Sequence, residues 1–213
     1  MNPIFDINVI ADALQRFQYS LLAKEENILD IGSGSCSFHE QYSFKNVNIT
    51  FTDMKESEEG IFQEAKKRLE NVKEFRFVET PAEDLSMFKN DEFDMLVFSH
   101  VIEHMTTEQQ DKALAEMSRV LKKDKKLIIA TPNREGRKIM GKYKAHSNHI
   151  EEFSPDELAA ILNKHGFEIT NDNSGLIKII SKDEEILIDP IAHSDTDDAY
   201  FIYFICVNKK GEK

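Results

Sequence analysis

Apolar and polar residues along the chain alternate between short β-rich runs and longer stretches in which apolar residues recur every third or fourth position. The first pattern predicts strands and the second predicts helices. The predicted strands are the run from Asn27 to the first glycine of the loop that follows, then Asn48–Asp53, Phe75–Glu79, Phe93–Phe98, Lys126–Thr131, Phe167–Thr170 and Tyr200–Val207. The predicted helices are Asp6–Leu22, Glu58–Asn71, Glu108–Lys122 and a helix that begins after Ser154. This alternation is typical of an α/β protein with a mostly parallel sheet and helices on both faces.

Local signals add detail to these elements. Ser154-Pro-Asp-Glu157 is a capping box with proline at the first helical position, and Gly166 is expected to end that helix. Two β-branched runs on either side of a polar segment predict an additional hairpin at Leu176–Asp189. The apolar stripe of Asp6–Leu22 fits either a packing helix or a helix that covers a ligand cleft.

Composition limits the class of protein. The chain has 213 residues, 40% of them hydrophobic, and no linker-like stretch or repeat divides it, so we expect a single domain over residues 1–213. Its two cysteines lie far apart, and it has neither a secretory leader nor an apolar run that could span a bilayer, which predicts a cytoplasmic protein without membrane contact. A net charge of −12 argues against nucleic acid as a partner.

The first predicted strand runs into a small-residue loop that is typical of nucleotide-cofactor sites. Asp30 precedes Gly32, Ser33 and Gly34, and glycines without Cβ atoms let a ligand approach the backbone. We expect the amides that follow to face that ligand. Asp53 ends the next strand, where an acid in a βαβ unit reaches ribose hydroxyls. A plain strand-to-helix turn would share the glycines but would not require the second acid.

The kind of cofactor follows from what the loop lacks. A dinucleotide fingerprint needs a third glycine where Ser37 stands, so a pyrophosphate and hence a nicotinamide-dependent oxidoreductase are disfavoured. A cofactor with one adenosyl ribose and no phosphates needs the two acids and the two glycines, all of which are present. The sequence therefore favours a cofactor of that second kind.

Four further segments occur in an order that is characteristic of one family. They are Val78–Leu85, Phe93–His104, Leu127–Asn133 and His149–Leu158. With the glycine loop, they resemble a class I S-adenosylmethionine-dependent methyltransferase, in the small-molecule group that includes ubiquinone-pathway and sugar methyltransferases. The resemblance implies a Rossmann-like seven-stranded sheet, with a cofactor half at 27–104 and an acceptor-side half at 105–213.

The resemblance also implies which residues contact S-adenosylmethionine. Asp30 would fix the loop and the ammonium end, Asp53 would accept from both ribose hydroxyls, and Ser99 would lie beside the sulfonium. The family usually has Asp or Asn where this chain has Pro81, so Glu83 is the expected substitute at the adenine amino group. The implied cofactor residues are Asp30, Gly32, Ser33, Gly34, Asp53, Met54, Ala82, Glu83 and Ser99.

A general base is expected near the carboxyl ends of the fourth and fifth strands, where open α/β sheets bind ligands. His100, His104, His149 and Tyr143 are the candidates, and family position favours His149. Each histidine could instead be a structural, hydrogen-bonded residue. No metal is expected, because imidazoles suit magnesium poorly, although a site made by His100, Glu103 and His104 stays open. The H-x-x-E-H match to a zinc-protease motif is discounted, because a strand runs straight into it.

A basic segment follows the fifth strand and bears on the acceptor. Its cations fit either a solvated helix face or a lid that recruits an anionic acceptor. The sequence thus predicts methyl transfer to a hydroxyl or amine of a small metabolite or sugar, with an anionic acceptor as one option. The alternatives are a protein or RNA methyltransferase and a cofactor-binding regulatory module. The basic residues are Arg134, Arg137, Lys138, Lys142 and Lys144.

Overall fold

The computed structural model describes most of the sheet and the helices on its acceptor side. The described residues are 27–34, 47–54, 74–135, 148–170, 174–182, 185–191 and 201–211. The predicted helices Asp6–Leu22 and Glu58–Asn71 lie outside them, as do Tyr143 and the basic segment beyond Glu135. Within the described part, no helix is both long enough and apolar enough to cross a membrane.

One sheet contains all the described strands. They are β1 Asn27–Ile31, β2 Asn48–Asp53, β3 Glu74–Glu79, β4 Phe93–Ser99, β5 Leu121–Pro132, β6 Phe167–Ile169, β7 Gly175–Lys182, β8 Glu185–Ile191 and β9 Phe201–Asn208. Their order is β3-β2-β1-β4-β5-β9-β7-β8, and β6 also pairs with β9. β1 to β5 are parallel, whereas β9 runs antiparallel to β5. The predicted Rossmann-like sheet is confirmed, and β7 and β8 form the predicted extra hairpin.

Among the described residues, two helices and one short 3-10 turn connect these strands on the acceptor side. The turn is Ile102–His104, and the helices are α1 Thr107–Val120 and α2 Pro155–Lys164. The capping box of α2 forms as predicted, with Ser154 and Glu157 bonded reciprocally and proline in the first turn. α1 has a capping box too, made by Thr106 and Gln109.

β5 differs most from its prediction. It begins at Leu121, five residues before the predicted start at Lys126, and α1 correspondingly ends at Val120 and not at Lys122. Leu121 pairs with Phe93, and the register then shifts before Met95 pairs with Lys126. The intervening residues are polar and carry no strand pattern, so only the pairing with β4 defines this part of the strand.

Both faces of the sheet are buried at its central strands β1, β4 and β5. On one face, strand residues such as Leu29 and Phe98 join a hydrophobic cluster with Leu114 of α1 and Leu158 of α2. On the other face, the alternating residues are buried as well, with Val97 only 1% exposed. This is the burial expected of a parallel sheet covered on both sides.

The topology separates two edges of the sheet. Because β1, β2, β4 and β5 are parallel, their carboxyl ends meet at one edge, which is where open α/β sheets bind ligands. At the opposite edge, the Asp94 carboxylate accepts hydrogen bonds from Asn27 and from Lys122, at 2.9 Å from the lysine Nζ. The Asp94 carboxylate therefore links the starts of β1, β4 and β5. A ligand site is expected at the other edge, where these strands end.

Candidate active site

The glycine loop after β1 is held against the end of β2. The amides of Gly32 and Ser33 both donate to the carbonyl of Thr52, at 2.8 and 3.0 Å. The amide of Gly34 donates to Oδ2 of Asp53 at 2.9 Å. The amides that follow this loop, which were expected to face the ligand, lie outside the described residues. The amides of the loop itself hold it against the end of β2.

The two glycines serve different purposes. Gly32 has φ +70°, and a Cβ on it would lie 2.4 Å from Cγ2 of Val101. Gly34 has φ +54°, and a Cβ there would meet nothing within 4 Å. Gly32 is therefore required by close packing against the segment after β4. Gly34 is required by its backbone conformation alone.

Asp53 has the geometry of a ribose-binding acid. Its Oδ2 accepts from Gly34 N and its Oδ1 accepts from Met54 N at 2.7 Å. A carboxylate has about four acceptor sites, so each oxygen retains capacity for a hydroxyl donor. Asp53 is partly exposed and lines the central cleft. The carboxylate is thus oriented by two amides before any ligand arrives.

The segment predicted to edge the adenine is held by α1. Oε1 of Glu83 accepts from Nε2 of Gln109 at 2.8 Å, and Oε1 of Gln109 in turn accepts from the amide of Thr106. Gln109, the third residue of α1 and part of its capping box, therefore also orients Glu83. The pattern Thr106-Thr-Glu-Gln109 indicates a capping box in the sequence, but the contact between Gln109 and Glu83 depends on the fold.

Arg119 fixes the rest of this segment. Its Nη2 and Nη1 donate to the carbonyls of Leu85 and Phe88, each at 2.8 Å. Its guanidinium also pairs with Glu116 at 2.7 Å, and the hydrogen bond from Arg119 lowers the pKa of that carboxyl. One arginine of α1 thereby anchors the loop that follows the predicted adenine segment.

His100 follows β4 in a strained conformation. It has φ +56°, which a side-chain-bearing residue adopts only when its surroundings enforce it. Its Nδ1 lies 3.5 Å from Oε1 of Glu103, and its ring packs edge-on against Phe201 at 5.2 Å. Its Nε2 is buried without a hydrogen-bond partner among the described residues. Because His100 lines the cleft, a bound ligand could satisfy that atom.

Glu103 is a buried carboxylate, with 1% of its side chain exposed. Its Oε2 accepts from Oγ1 of Thr131 at 3.0 Å. Burial raises the pKa of the Glu103 carboxyl, but the contacts with His100, a backbone hydrogen bond and the nearby His104 together outweigh it, so that this pKa lies below its usual value. The main-chain carbonyl of Glu103 accepts from the amides of Ile150 and Glu151.

His104 and His149 face each other at the end of this network. Their ring centroids are 4.8 Å apart and their planes are nearly perpendicular. Nδ1 of His104 lies 3.0 Å from the carbonyl of Asn148, and Nδ1 of His149 lies 2.7 Å from Oε1 of Glu152. Both partners are acceptors, so in each neutral ring Nδ1 carries the proton and Nε2 carries the lone pair. Glu152, itself 3% exposed, was not identified from the sequence.

A cleft of about 660 Å³ joins these groups. The predicted residues in its wall are Gly32, Gly34, Asp53, Met54, Ala82, Glu83, His100 and His104. Within the described stretches, Asp30, Ser33, Ser99 and His149 are not among the wall residues, although the ring of His149 contacts the wall residue His104. The sequence did not identify the other wall residues, which are Thr80, Val101, Met105, Gln109, Asn148 and Ile150.

Arg134 is the one residue of the basic segment in the described part of the chain. Its guanidinium lies 2.6 Å from the Glu157 carboxylate and donates to the carbonyl of Glu152 at 3.1 Å. It therefore ties the end of β5 to the start of α2 and to the residue that supports His149. Arg137, Lys138, Lys142 and Lys144 lie outside the described residues.

Comparison of the sequence with known families gives one match. Residues 29–129, from β1 to the buried part of β5, match a model of the methyltransferase domain. No relative was found among curated protein sequences.

Solved structures show the same fold at low identity. A 1,6-didemethyltoxoflavin N1-methyltransferase from Burkholderia thailandensis, with 1,6-didemethyltoxoflavin and S-adenosylhomocysteine bound, has a TM-score of 0.59 at 18% identity over 92% of this chain and 76% of its own. A possible histamine N-methyltransferase from Thermotoga maritima has a TM-score of 0.63 at 22% identity, over 94% and 92%. The small RNA methyltransferase HEN1 has a TM-score of 0.67 at 16% identity, over 94% of this chain but 26% of its own.

Proposed function

Since this chain carries a methyltransferase domain and is an S-adenosylmethionine-dependent methyltransferase, we propose that it methylates a hydroxyl or amine of a small metabolite or sugar. The observation that supports this best is the pairing of His149 with buried Glu152 beside a cleft of about 660 Å³. That volume suits a small-molecule site. A histidine with a fixed tautomer is what an acceptor that must lose a proton requires.

The chain's residues fit the cofactor. Asp53 retains acceptor capacity on both oxygens for the ribose hydroxyls, and Glu83 is held by Gln109 at the edge of the adenine position. Gly34 lines the same cleft as these two acids. When bound, S-adenosylmethionine supplies a methyl group already activated on a positively charged sulfur. The protein must then orient the acceptor, exclude water and accept a proton.

We assign the role of general base, which removes the acceptor's proton, to His149. When an acceptor is methylated, Nε2 of His149 would take its proton, and the Glu152 carboxylate would stabilise the resulting imidazolium. His100 and His104 border the same space and complete the catalytic set. A positioned base of this kind contributes about 10²- to 10⁴-fold to the rate.

A labelled-methyl experiment tests the acceptor class. Cell extract is incubated with the protein and methyl-tritiated S-adenosylmethionine, then separated into a low-mass filtrate, protease-sensitive material and ribonuclease-sensitive material. We expect label in the filtrate, where mass spectrometry identifies the product, and we expect Asp53→Ala to reduce it at a limiting concentration of the cofactor.

The other outcomes identify the alternatives. Label in ribonuclease-sensitive material would support an RNA substrate. The likeness to HEN1 favours that alternative, and the net charge of −12 disfavours it. Label in protease-sensitive material would support a protein substrate. Cofactor binding by calorimetry without label in any fraction would support a regulatory module. Each of these results would overturn the proposed acceptor class.

We further propose that the acceptor is anionic, on the basis of the cations that follow Arg134 in the sequence. Replacing Arg137, Lys138 and Lys142 by Gln should raise the KM for the acceptor and leave cofactor affinity unchanged, because the charges steer only the acceptor. The difference between variant and wild type should shrink at high salt. Equal kinetic constants in the two proteins would show that these residues are a solvated face.

A further inference from the structure

The methionines of the described part differ in their exposure to solvent. Met95, Met105 and Met117 are buried, with at most 5% of each residue exposed. Met54 is 70% exposed and Met87 is 48% exposed. Because a peroxide must reach the sulfur to oxidise it, Met54 and Met87 are the described methionines that can be oxidised while the chain stays folded.

Met54 lies where the cofactor is expected to bind. It directly follows Asp53, and its amide donates to Oδ1 of that carboxylate at 2.7 Å. It also lines the cleft of about 660 Å³, whereas Met87 is not among the wall residues. A cofactor whose ribose is bound by Asp53 would therefore lie against Met54.

Exposed apolar surface is concentrated in this cleft. Within the described part, the exposed large apolar residues are Met54, Met87 and Ile150. Two of them, Met54 and Ile150, belong to the cleft wall. A large apolar side chain left exposed in a cleft wall is a surface that a ligand covers. Met87, outside the wall, serves as the comparison.

Oxidation would change the chemistry of this wall. Hydrogen peroxide transfers one oxygen atom to the thioether sulfur, its O–O bond breaks and water leaves, so that the sulfur is oxidised and the peroxide is reduced. The sulfoxide that forms is polar. The amides of Gly34 and Met54 already donate to Asp53, so neither is available to the new oxygen. A cofactor that covered the sulfoxide would bury a polar oxygen beside a carboxylate, which lowers affinity.

We propose that Met54 is an oxidation site through which peroxide lowers the affinity of the protein for S-adenosylmethionine. The bound cofactor would in turn shield the sulfur from peroxide. Methionine sulfoxide is reduced back by sulfoxide reductases, so the change would be reversible. This regulation rests on the cofactor site of the proposed function and is independent of the acceptor and of the base.

Peroxide treatment of the purified chain tests whether the cofactor covers Met54. The protein is treated with hydrogen peroxide, with and without saturating S-adenosylmethionine, and each methionine is then quantified by peptide mass spectrometry. We expect sulfoxide at Met54 and Met87 and none at the three buried methionines. S-adenosylmethionine should slow the oxidation of Met54 and leave that of Met87 unchanged.

Calorimetry with S-adenosylhomocysteine measures the consequence once the peroxide has been removed. Oxidised wild type should bind about 5- to 100-fold more weakly, because a polar group is buried without a partner. Methionine sulfoxide reductases should restore the affinity. Circular dichroism should show the same secondary structure in the treated and the untreated protein.

Two leucine variants separate Met54 from other groups that peroxide attacks. Leucine keeps an apolar side chain of similar volume, and peroxide cannot oxidise it. Met54→Leu should keep after treatment whatever affinity it has before, whereas Met87→Leu should lose affinity as the wild type does. Cys36, which lies outside the described residues, is present in both variants, so damage to its thiol would lower the affinity of both.

Unchanged affinity after full oxidation of Met54, or an equal loss in Met54→Leu, would overturn this role. So would equal oxidation of Met54 with and without S-adenosylmethionine, or a loss of secondary structure on treatment. A loss that wild type and Met87→Leu share, that Met54→Leu lacks and that the reductases reverse would establish it. If oxidation lowers affinity in this way but no low-mass acceptor is labelled, the oxidation site stands and the proposed acceptor class fails. If affinity survives oxidation while the filtrate is labelled, the proposed function stands and Met54 has no regulatory part.

Discussion

We expect Gly32→Ala to destabilise the protein far more than the addition of a single methyl group suggests. Gly32 adopts φ +70°, a left-handed conformation that costs a residue with a Cβ about 1–2 kcal/mol. The new Cβ would also lie 2.4 Å from Cγ2 of Val101 and 3.2 Å from Cγ1, inside van der Waals contact. Such overpacking costs about 1–3 kcal/mol more. We therefore expect the free energy of unfolding to fall by about 2–5 kcal/mol.

Gly34→Ala provides the matched control. Gly34 has a similar φ of +54°, but its Cβ would meet nothing within 4 Å, so only the backbone cost of about 1–2 kcal/mol applies. Val101→Ala removes the two methyl groups that cause the clash. In that background, Gly32→Ala should cost no more than Gly34→Ala costs in the wild type.

Urea unfolding followed by circular dichroism measures the five proteins: wild type, the three single variants and the double variant. The midpoint and slope together give each free energy of unfolding. The reasoning is refuted if Gly32→Ala and Gly34→Ala are equally destabilising, or if Val101→Ala rescues nothing in the double-mutant cycle.

Three further predictions concern other contacts. Asp53→Ala should weaken S-adenosylhomocysteine binding by about 1.5–3 kcal/mol in calorimetry, because two ribose hydroxyls lose a charged acceptor, and unchanged affinity would contradict that role. Asp94→Asn should lower the free energy of unfolding by about 1–2 kcal/mol at pH 7. Burial raises the pKa of Asp94, but the contacts with Lys122, Asn27 and Lys125 together lower it more, so the Asp94 contribution is present above about pH 4 and is lost as the pH falls through the lowered pKa. A pH-independent difference would be the contrary result. Arg119→Ala should speed amide hydrogen exchange in residues 85–90 and leave β9 unchanged, since it releases the carbonyls of that loop; equal protection would exclude the anchoring role.

The parts of the fold that could be predicted depend on local patterns. Ser154 and Glu157 lie three residues apart, so their reciprocal hydrogen bonds follow from covalent spacing. The start of β5 at Leu121 could not be predicted, because its polar continuation is a strand only through pairing with Phe93 of β4. Leu121 and Phe93 are far apart in the sequence, and their pairing produces no alternation of apolar and polar residues in either segment.

The same distinction applies to the candidate active site. Asp53 could be recognised because the acid that ends the second strand has a fixed relation to the glycine loop. The partners of the histidines could not, because Asn148 meets His104 only when the chain returns from β5 to the end of β4. The amide of Ile150 fixes the returning chain by donating to the main-chain carbonyl of Glu103 at 2.8 Å. The orientation of the histidines therefore depends on a tertiary contact that the sequence does not encode locally.

That return is held at both flanks by separate main-chain contacts. On one side, Asn133 forms a bridge with Phe153, and the amide of Arg134 donates to the carbonyl of Phe153 at 2.9 Å. On the other side, the amide of Ile150 donates to the carbonyl of Glu103 at 2.8 Å. The two contacts share no residue, so a substitution that loosens one of them leaves the other hydrogen bond in place.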